Sequence, residues 1–478
     1  MGIAILLSKT CHMFGLDPTL TALLIFCLLL ACAFEFINGF HDTANAVATV
    51  IYTNSLKPYV AVTWSAIWNS IGVFAGGIAV AMGISNLLPI EVLTDPDIHH
   101  NVALVLALLL TAIAWNLGTW YLGIPCSSSH TLIGSILGVG LAYSVMAETP
   151  GNYVNWSKAS DIGMSLLLSP LLGFSLAIMI MYILRQFVRN KAIFREPNTT
   201  APPPTWIRAV LLLTCTGVSF SHGSNDGQKG VGLMMLILIA IVPAQFAIDQ
   251  NLDMVEYKRD VQSVHYLMKK IDTHQLNYED SMEYAKLDRL IMELNQMVTT
   301  KSSLAEYSKE EQYALRKDVL MIGKSAKKLS ESPDLNLSSN DKKRLKGMIA
   351  EVKELTDYAP YWVILLISLS LGTGTMIGWK RIVKTIGEKI GKQHLTYAQG
   401  ASSELVAAGT ISLSTWLGLP VSTTQVLSSG IAGSMVASKG IKNLQKGTIR
   451  TIFIAWILTL PVTILMAGGL FILFRAIL

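Results

Sequence analysis

Phe36–Val47 reads FINGFHDTANAV, and Phe220–Val231 reads FSHGSNDGQKGV. At a shift of 184 residues, Phe36, Gly39, Asp42 and Val47 coincide with Phe220, Gly223, Asp226 and Val231. A second pair lies further along: Gly123–Ser129 (GIPCSSS) against Gly418–Thr424 (GLPVSTT), at a shift of 295. The shifts differ by 111 residues, close to the 108 residues of a charged stretch, 251–358. Two matches whose offset is explained by a separately recognisable insertion mark an internal repeat, interrupted in its second copy.

The rest of the chain says what is repeated. Of 478 residues, 51% are hydrophobic and only 14% charged, against about 25% charged in soluble domains. Mean hydropathy is +0.47. Residues 251–358 hold 19 acidic and 18 basic side chains, more than half of the chain's charges. The composition is that of an all-α polytopic membrane protein with one soluble helical insert. The net charge of +5 is too small and scattered to indicate nucleic acid. The five cysteines stand singly, so neither a metal-binding cysteine pair nor a disulfide framework is expected.

Apolar runs long enough to cross about 30 Å of hydrocarbon lie near 19–38, 59–83, 102–122, 128–147, 163–184, 207–221, 228–248, 360–378, 394–415, 420–437 and 450–477. They predict 10–12 membrane segments, and the first run reads as a retained span, not a cleaved signal. The reading divides the chain into a membrane repeat (1–184), a basic Pro-rich loop (185–206), the start of a second membrane repeat (207–250), the insert (251–358) and the remainder of the second repeat (359–478). In the insert, Leu287, Leu290, Ile291 and Leu294 follow one helix face. Arg185, Arg189, Lys191 and Arg195 place loop 185–206 in the cytoplasm. Loop 84–102 is acidic (Glu91, Asp95, Asp97), whereas its counterpart 379–393 is mainly basic. Opposite charge biases put the two on opposite sides, and the halves are expected to be inverted. If 360–378 is a simple span, the basic loop and the insert fall on opposite sides. Both reach the cytoplasm only if one segment is re-entrant.

Repeated halves with polar motifs inside apolar segments are the sequence signature of secondary transporters, built from broken helices that meet near the midplane. Pro125 and Pro420 each end a helix, and Ser127, Ser128, Ser129 and Ser422, Thr423, Thr424 follow as caps of the next. Helix N-termini rich in N–H and O–H donors attract an anion, and two from opposed halves could surround a tetrahedral oxyanion. Asp42 and Asp226 cannot bind that anion directly and mark a site for a cation or proton. Asn38, Asn45, Asn225 and a broken backbone at Gly39 and Gly223 would add oxygen ligands for a hard cation. Lys229 shares a helix face with Asp226 and is a charge partner or a substrate contact. His41, His130 and His222 are candidate relays, and Glu35 and Glu404 are further membrane carboxylates. Together these residues describe a cation-coupled anion symporter.

At these motifs the sequence resembles the inorganic phosphate transporter (Pit) family, closest to its bacterial low-affinity, proton-coupled members. Gly39–Ala46 and Gly223–Gly230 look like the family's duplicated signature, and Pro125–His130 and Pro420–Gln425 like its paired hydroxyl motifs. The resemblance spans the membrane body on both sides of the insert. It implies an inverted-repeat transporter, a homodimer in the bacterial inner membrane, with the insert in the cytoplasm. It implies phosphate, with arsenate as its analogue, at the two hydroxyl motifs. It also implies a proton at Asp42 and Asp226, or a divalent metal carried with phosphate. Relatives often have His where this chain has Gln425, which argues against a proton relay there. Sodium coupling on the same fold is the alternative. A passive anion channel conflicts with the midplane carboxylates. An intramembrane hydrolase using Ser129 and His130 conflicts with their adjacency, because helix neighbours point apart. An ATP-driven pump is disfavoured because no Gly-x-x-x-x-Gly-Lys-Ser/Thr loop is present, and the chain is not expected to be an enzyme.

This reading makes a prediction about selectivity. Arsenate shares the tetrahedral shape and protonation of phosphate, whereas sulfate has no O–H to donate. A hydrogen-bonding site rejects an analogue lacking one partner by large factors. In an uptake assay arsenate should compete with phosphate and sulfate hardly at all; equal inhibition by both would contradict the reading.

Overall fold

The computed structural model describes residues 16–93, 97–146, 153–198, 201–269, 271, 276–301, 303–332 and 339–478. Asp95, and Lys9 and Cys11 near the N-terminus, lie outside the described residues. The chain divides into two compact units, Met1–Ala240 with Ala359–Leu478, and Ile241–Tyr358.

The first unit contains α1 (Pro18–Tyr52), α2 (Pro58–Ala75), α3 (Ala79–Ser85), α4 (Ile98–Tyr121), α5 (Ser128–Met146), α6 (Trp156–Phe187) and α7 (Thr205–Ile241). The second contains α8 (Met254–Met268), α9 (Tyr278–Thr300), α10 (Lys309–Glu331) and α11 (Ser339–Lys353). The first unit resumes with α12 (Tyr361–Thr375), α13 (Lys380–Lys384), α14 (Tyr397–Trp416), α15 (Thr423–Lys439) and α16 (Lys446–Ile477). Local chemistry sets several starts. Asp17 accepts from Thr19 N–H and Leu20 N–H with Pro18 in the first turn of α1, and Thr396 forms a capping box with Gln399 at α14.

Among the described residues five helices are long and apolar enough to cross a membrane: α1, α4, α5, α6 and α16. The count reaches seven if α2 with α3 (bent by 76°) and α12 with Lys380–Lys389 (bent by 54°) each form one broken or re-entrant segment. That is fewer than the 10–12 expected. The runs 207–221 and 228–248 belong largely to one continuous helix, α7, and α7, α14 and α15 carry many polar residues. The basic stretch 379–393 is not a simple loop: α13 continues into a π-helical turn, Thr385–Lys389.

The expected backbone breaks at Gly39 and Gly223 are also absent. Both glycines lie inside unbroken helices. They serve close packing instead. A Cβ on Gly39 would strike the Leu371 carbonyl of α12, and one on Gly374 of α12 would strike the Phe36 carbonyl of α1. Gly72 of α2 and Gly223 of α7 stand in the same relation, against the carbonyls of Phe220 and Asn69. In the same way Gly138 of α5 lies on α16, and Gly433 of α15 on α6. Each of these contacts joins a helix before the 185–206 loop to one after it. Small residues let membrane helices approach to backbone contact, and here they lock the two halves together.

The outer surface is apolar. α6 exposes Leu167, Leu168, Leu171 and Leu172, and α16 exposes Phe453, Ile457 and Leu465. The interior is where the polar groups lie: Asn38, Asp42, Asn45, Asn69, Asn225 and Asp226 are all buried. This reversal is expected of a protein whose solvent is lipid.

The second unit is an ordinary soluble core. Val261, Val264, Leu287, Leu290, Ile291, Leu294, Val319 and Ile322 pack together. It starts ten residues earlier than the charge pattern suggested, because Ile248 joins this core and an apolar residue there reads as membrane. Its two ends meet: Asp249 N–H donates to the Leu355 carbonyl at 2.9 Å. Buried Arg316 donates to the carbonyls of Ala247 (2.8 Å) and Thr356 (3.4 Å). Burial lowers its guanidinium to about 10, so it stays charged at neutral pH.

Gly374→Ala should cost about 1–3 kcal/mol by overpacking α12 against α1. Gly163→Ala, where a Cβ would meet nothing within 4 Å, should be neutral or stabilising by up to about 1 kcal/mol. Thermal unfolding of the purified variants in detergent checks this; equal losses in both would sink the packing account.

Candidate functional site

The two halves meet at a buried polar centre. Asp42 lies on α1 and Asp226 on α7, and both are at most 2% exposed. Asp42 Oδ1 accepts from Thr424 Oγ1 and lies 3.3 Å from His41 Nδ1. Its Oδ2 accepts from Ser128 Oγ at 3.2 Å and Thr423 Oγ1 at 3.4 Å. Asp226 Oδ1 pairs with Lys229 Nζ at 2.5 Å, one helical turn on. Thr423 Oγ1 also lies 3.4 Å from Asp226 Oδ2, bridging the two carboxylates. His222 Nε2 stands between them, 3.8 Å from Asp42 and 3.4 Å from Asp226. Asp42, His222 and Asp226 can each present one ligand atom with all three atoms within 4.8 Å of one another, a grouping able to hold a metal ion.

The hydroxyls arrive by way of the two Pro-broken segments. α5 begins at Ser128, three residues after Pro125, and α15 at Thr423, three after Pro420. Ser127 and Ser422 act as equivalent caps, accepting from His130 N–H (3.1 Å) and Gln425 N–H (3.2 Å). The next hydroxyls point into the centre. Repeat-equivalent positions then make equivalent contacts between halves. Asn45 of α1 donates to Thr424 Oγ1 of α15 at 3.1 Å, and Lys229 of α7 donates to Ser129 Oγ of α5 at 2.5 Å. Asn45 and Lys229 are 184 residues apart, and Ser129 and Thr424 are 295 apart, the two repeat shifts. Lys229 also donates to the Val421 carbonyl at 2.7 Å, as does Ser129 Oγ.

Other candidates lie outside this cluster. His130 Nδ1 faces Ser127 Oγ at 2.7 Å and touches neither aspartate. Asn225 donates to Thr415 Oγ1 (2.9 Å) and the Leu419 carbonyl (3.2 Å) and accepts from Val421 N–H (3.2 Å), which positions the hydroxyl segment. Asn38 donates to Glu35 at 3.2 Å. Glu404 accepts from Thr214 Oγ1 of α7 at 2.5 Å and from Thr49 Oγ1 of α1, away from the aspartates along both helices.

Some residues were missed. Asn69 of α2 orients His222 by facing its Nδ1 at 3.1 Å, and donates to Thr375 Oγ1 at 2.9 Å. Thr119 of α4 lies 3.4 Å from His41 Nε2. Each is a polar residue within an apolar run, which is the signal that could have found it.

A polytopic helical body whose halves enclose two aspartates, a lysine and four hydroxyls at the starts of two helices defines a membrane transporter rather than an enzyme. The chain belongs to the phosphate transporter family, whose profile matches residues 38–467. The low-affinity inorganic phosphate transporters PitA and PitB of Escherichia coli (strain K12) are each 39% identical over 96% of this chain, covering 98% and 97% of the relative. A probable low-affinity inorganic phosphate transporter of Bacillus subtilis (strain 168) is 30% identical over 93% of this chain and 94% of its own length. The fold is also that of a solved structure, the sodium-dependent phosphate transporter, with a TM-score of 0.54 and 18% identity, covering 96% of this chain and all of the other.

Lys229→Met should cost about 3–5 kcal/mol, because removing one partner leaves Asp226 buried and uncompensated. Adding Asp226→Asn should recover much of that loss. Thermal unfolding of both variants measures the difference, and a double variant no more stable than Lys229→Met would contradict a structural role for the pair.

Proposed function

We propose that the protein carries inorganic phosphate across the bacterial inner membrane by cation-coupled symport. The observation that supports this reading is the double use of the hydroxyls. Ser128, Thr423 and Thr424 stand at two helix N-termini built to meet an anion, yet all three donate to Asp42. Phosphate entering that centre would face two carboxylates. Like charges in a low-dielectric interior repel by several kcal/mol, so the anion is rejected until positive charge arrives.

A cation entering among Asp42, Asp226 and His222 changes the balance. It neutralises the carboxylates, draws Asp42 oxygens toward itself and frees the hydroxyls. Ser128, Thr423 and Thr424 can then turn to phosphate, with Ser129 and Lys229 beside them. Lys229 adds a compact positive charge for an oxyanion. Binding of each ion thus depends on the other, which is a coupling free energy between sites. A protonated carboxylate, a sodium ion and a divalent metal carried with phosphate all satisfy this logic. Proton coupling is the reading adopted, as the resemblance of the motifs to the family's proton-coupled members implies. The functional form is a homodimer, and the 241–358 unit serves regulation or partner contact, as it contributes none of the motif residues.

Uptake of phosphate into proteoliposomes, with pH gradient, sodium gradient and divalent metal varied separately, tests the proposal. Asp42→Asn and Asp226→Asn should each abolish gradient-driven accumulation in protein that still folds. Normal accumulation by either variant would remove that residue from the coupling site.

A further inference from the structure

A second buried carboxylate lies close to this centre without belonging to it. Glu35 stands seven residues before Asp42 on the same face of α1 and is 0% exposed. Its Oε2 accepts one hydrogen bond, from Asn38 Nδ2 at 3.2 Å. Its Oε1 and Asn38 Oδ1 are buried without a hydrogen-bond partner. Gly230 of α7 leaves the room the carboxyl group occupies, since a Cβ there would lie 2.6 Å from Glu35 Cδ and Oε1.

The charged groups around it are few. Lys229, Asp226 and His222 reach it electrostatically from α7, but Lys229 is bonded to Asp226, Ser129 and Val421 and His222 faces the aspartates. Among the described residues, Cys32 on its own helix, itself near Ser370 of α12, is a further titratable neighbour. An ionised Glu35 would thus have one hydrogen bond and no paired cation, a state that low-dielectric surroundings penalise heavily. A hard cation could hold the charge, but it wants about six oxygens or more. Of the oxygens on Glu35 and Asn38, Glu35 Oε1 and Asn38 Oδ1 are uncommitted. A proton needs only one.

We propose that Glu35 takes up the coupling proton and hands it on to the Asp42–Asp226 centre. The inference rests on the symport reading and deepens it. The carboxyl group takes a proton from water on one side, forming the O–H bond at Oε1, and gives it up to a carboxylate of the Asp42–Asp226 centre, which releases it to water on the other side; nothing is oxidised or reduced. Because the carboxyl group packs directly on the α7 backbone at Gly230, a shift of α7 against α1 would uncover it together with the Asp226–Lys229 pair.

The test uses the full chain in proteoliposomes containing an internal pH dye. Wild type should admit protons with phosphate. A wild type that moves phosphate against its gradient with no proton entry sinks proton symport itself, before any variant is compared. Glu35→Gln keeps shape but fixes the group as neutral. Phosphate–phosphate exchange, which needs no net proton movement, should persist. Coupling between linked sites is typically about 5- to 150-fold, so pH-gradient-driven uptake should fall by that range, lose its proton influx and become flat in pH. Glu35→Asp should keep proton influx with a displaced pH profile. Retained proton influx in Glu35→Gln overturns the proposal. So does a Glu35→Asp variant that exchanges phosphate but admits no protons, or loss of exchange in both variants, which would make Glu35 merely structural.

Discussion

Two carboxylates cannot be left uncompensated inside a membrane protein, and the arrangement around Asp42 and Asp226 is organised by that cost. Lys229 holds one oxygen of Asp226, and hydroxyls from both halves hold Asp42. The donors come from α5 and α15, which are distant in sequence and belong to different repeats. Asp226 finds Lys229 on its own helix, whereas Asp42 draws Ser128 from its own half and Thr423 and Thr424 from the other. Burial of the Asp42 charge therefore brings donors from the two halves together.

The backbone contacts repeat the same pattern. α1 meets α12, α2 meets α7, α5 meets α16 and α6 meets α15, each through a glycine set against a carbonyl. Interfaces this close offer little compliance, because a displaced helix must slide as a body. Such packing is what small residues at membrane helix interfaces provide. It also explains why the signature glycines lie within straight helices. Their lack of a side chain serves the neighbour, and their backbone freedom goes unused.

The soluble unit obeys different rules. Its core is Leu, Ile and Val on amphipathic helices, and its ends are tied by Arg316 and by the Asp249–Leu355 hydrogen bond. A module whose ends meet can be inserted into a repeat without stretching the chain on either side. That accounts for the second repeat surviving an interruption of about a quarter of the chain's length.

The amino-acid sequence by itself determined the class of solvent, the presence of a repeat and the identities of the charged and hydroxyl residues. Those follow from composition and spacing, which are one-dimensional properties. Family membership was likewise legible, since it rests on motifs such as Gly39–Ala46 and Pro420–Gln425. Only the tertiary structure decided which of these side chains meet. Asn38 turned out to serve Glu35, His130 to serve Ser127, and Asn225 to hold the Val421 segment. Asn69 entered as the residue orienting His222. Continuity of α1 and α7 was likewise unreadable from their glycines, because a glycine that breaks a helix and one that admits a neighbour look alike in sequence. The difference lies in what stands opposite, and in this protein that is a helix from the other half.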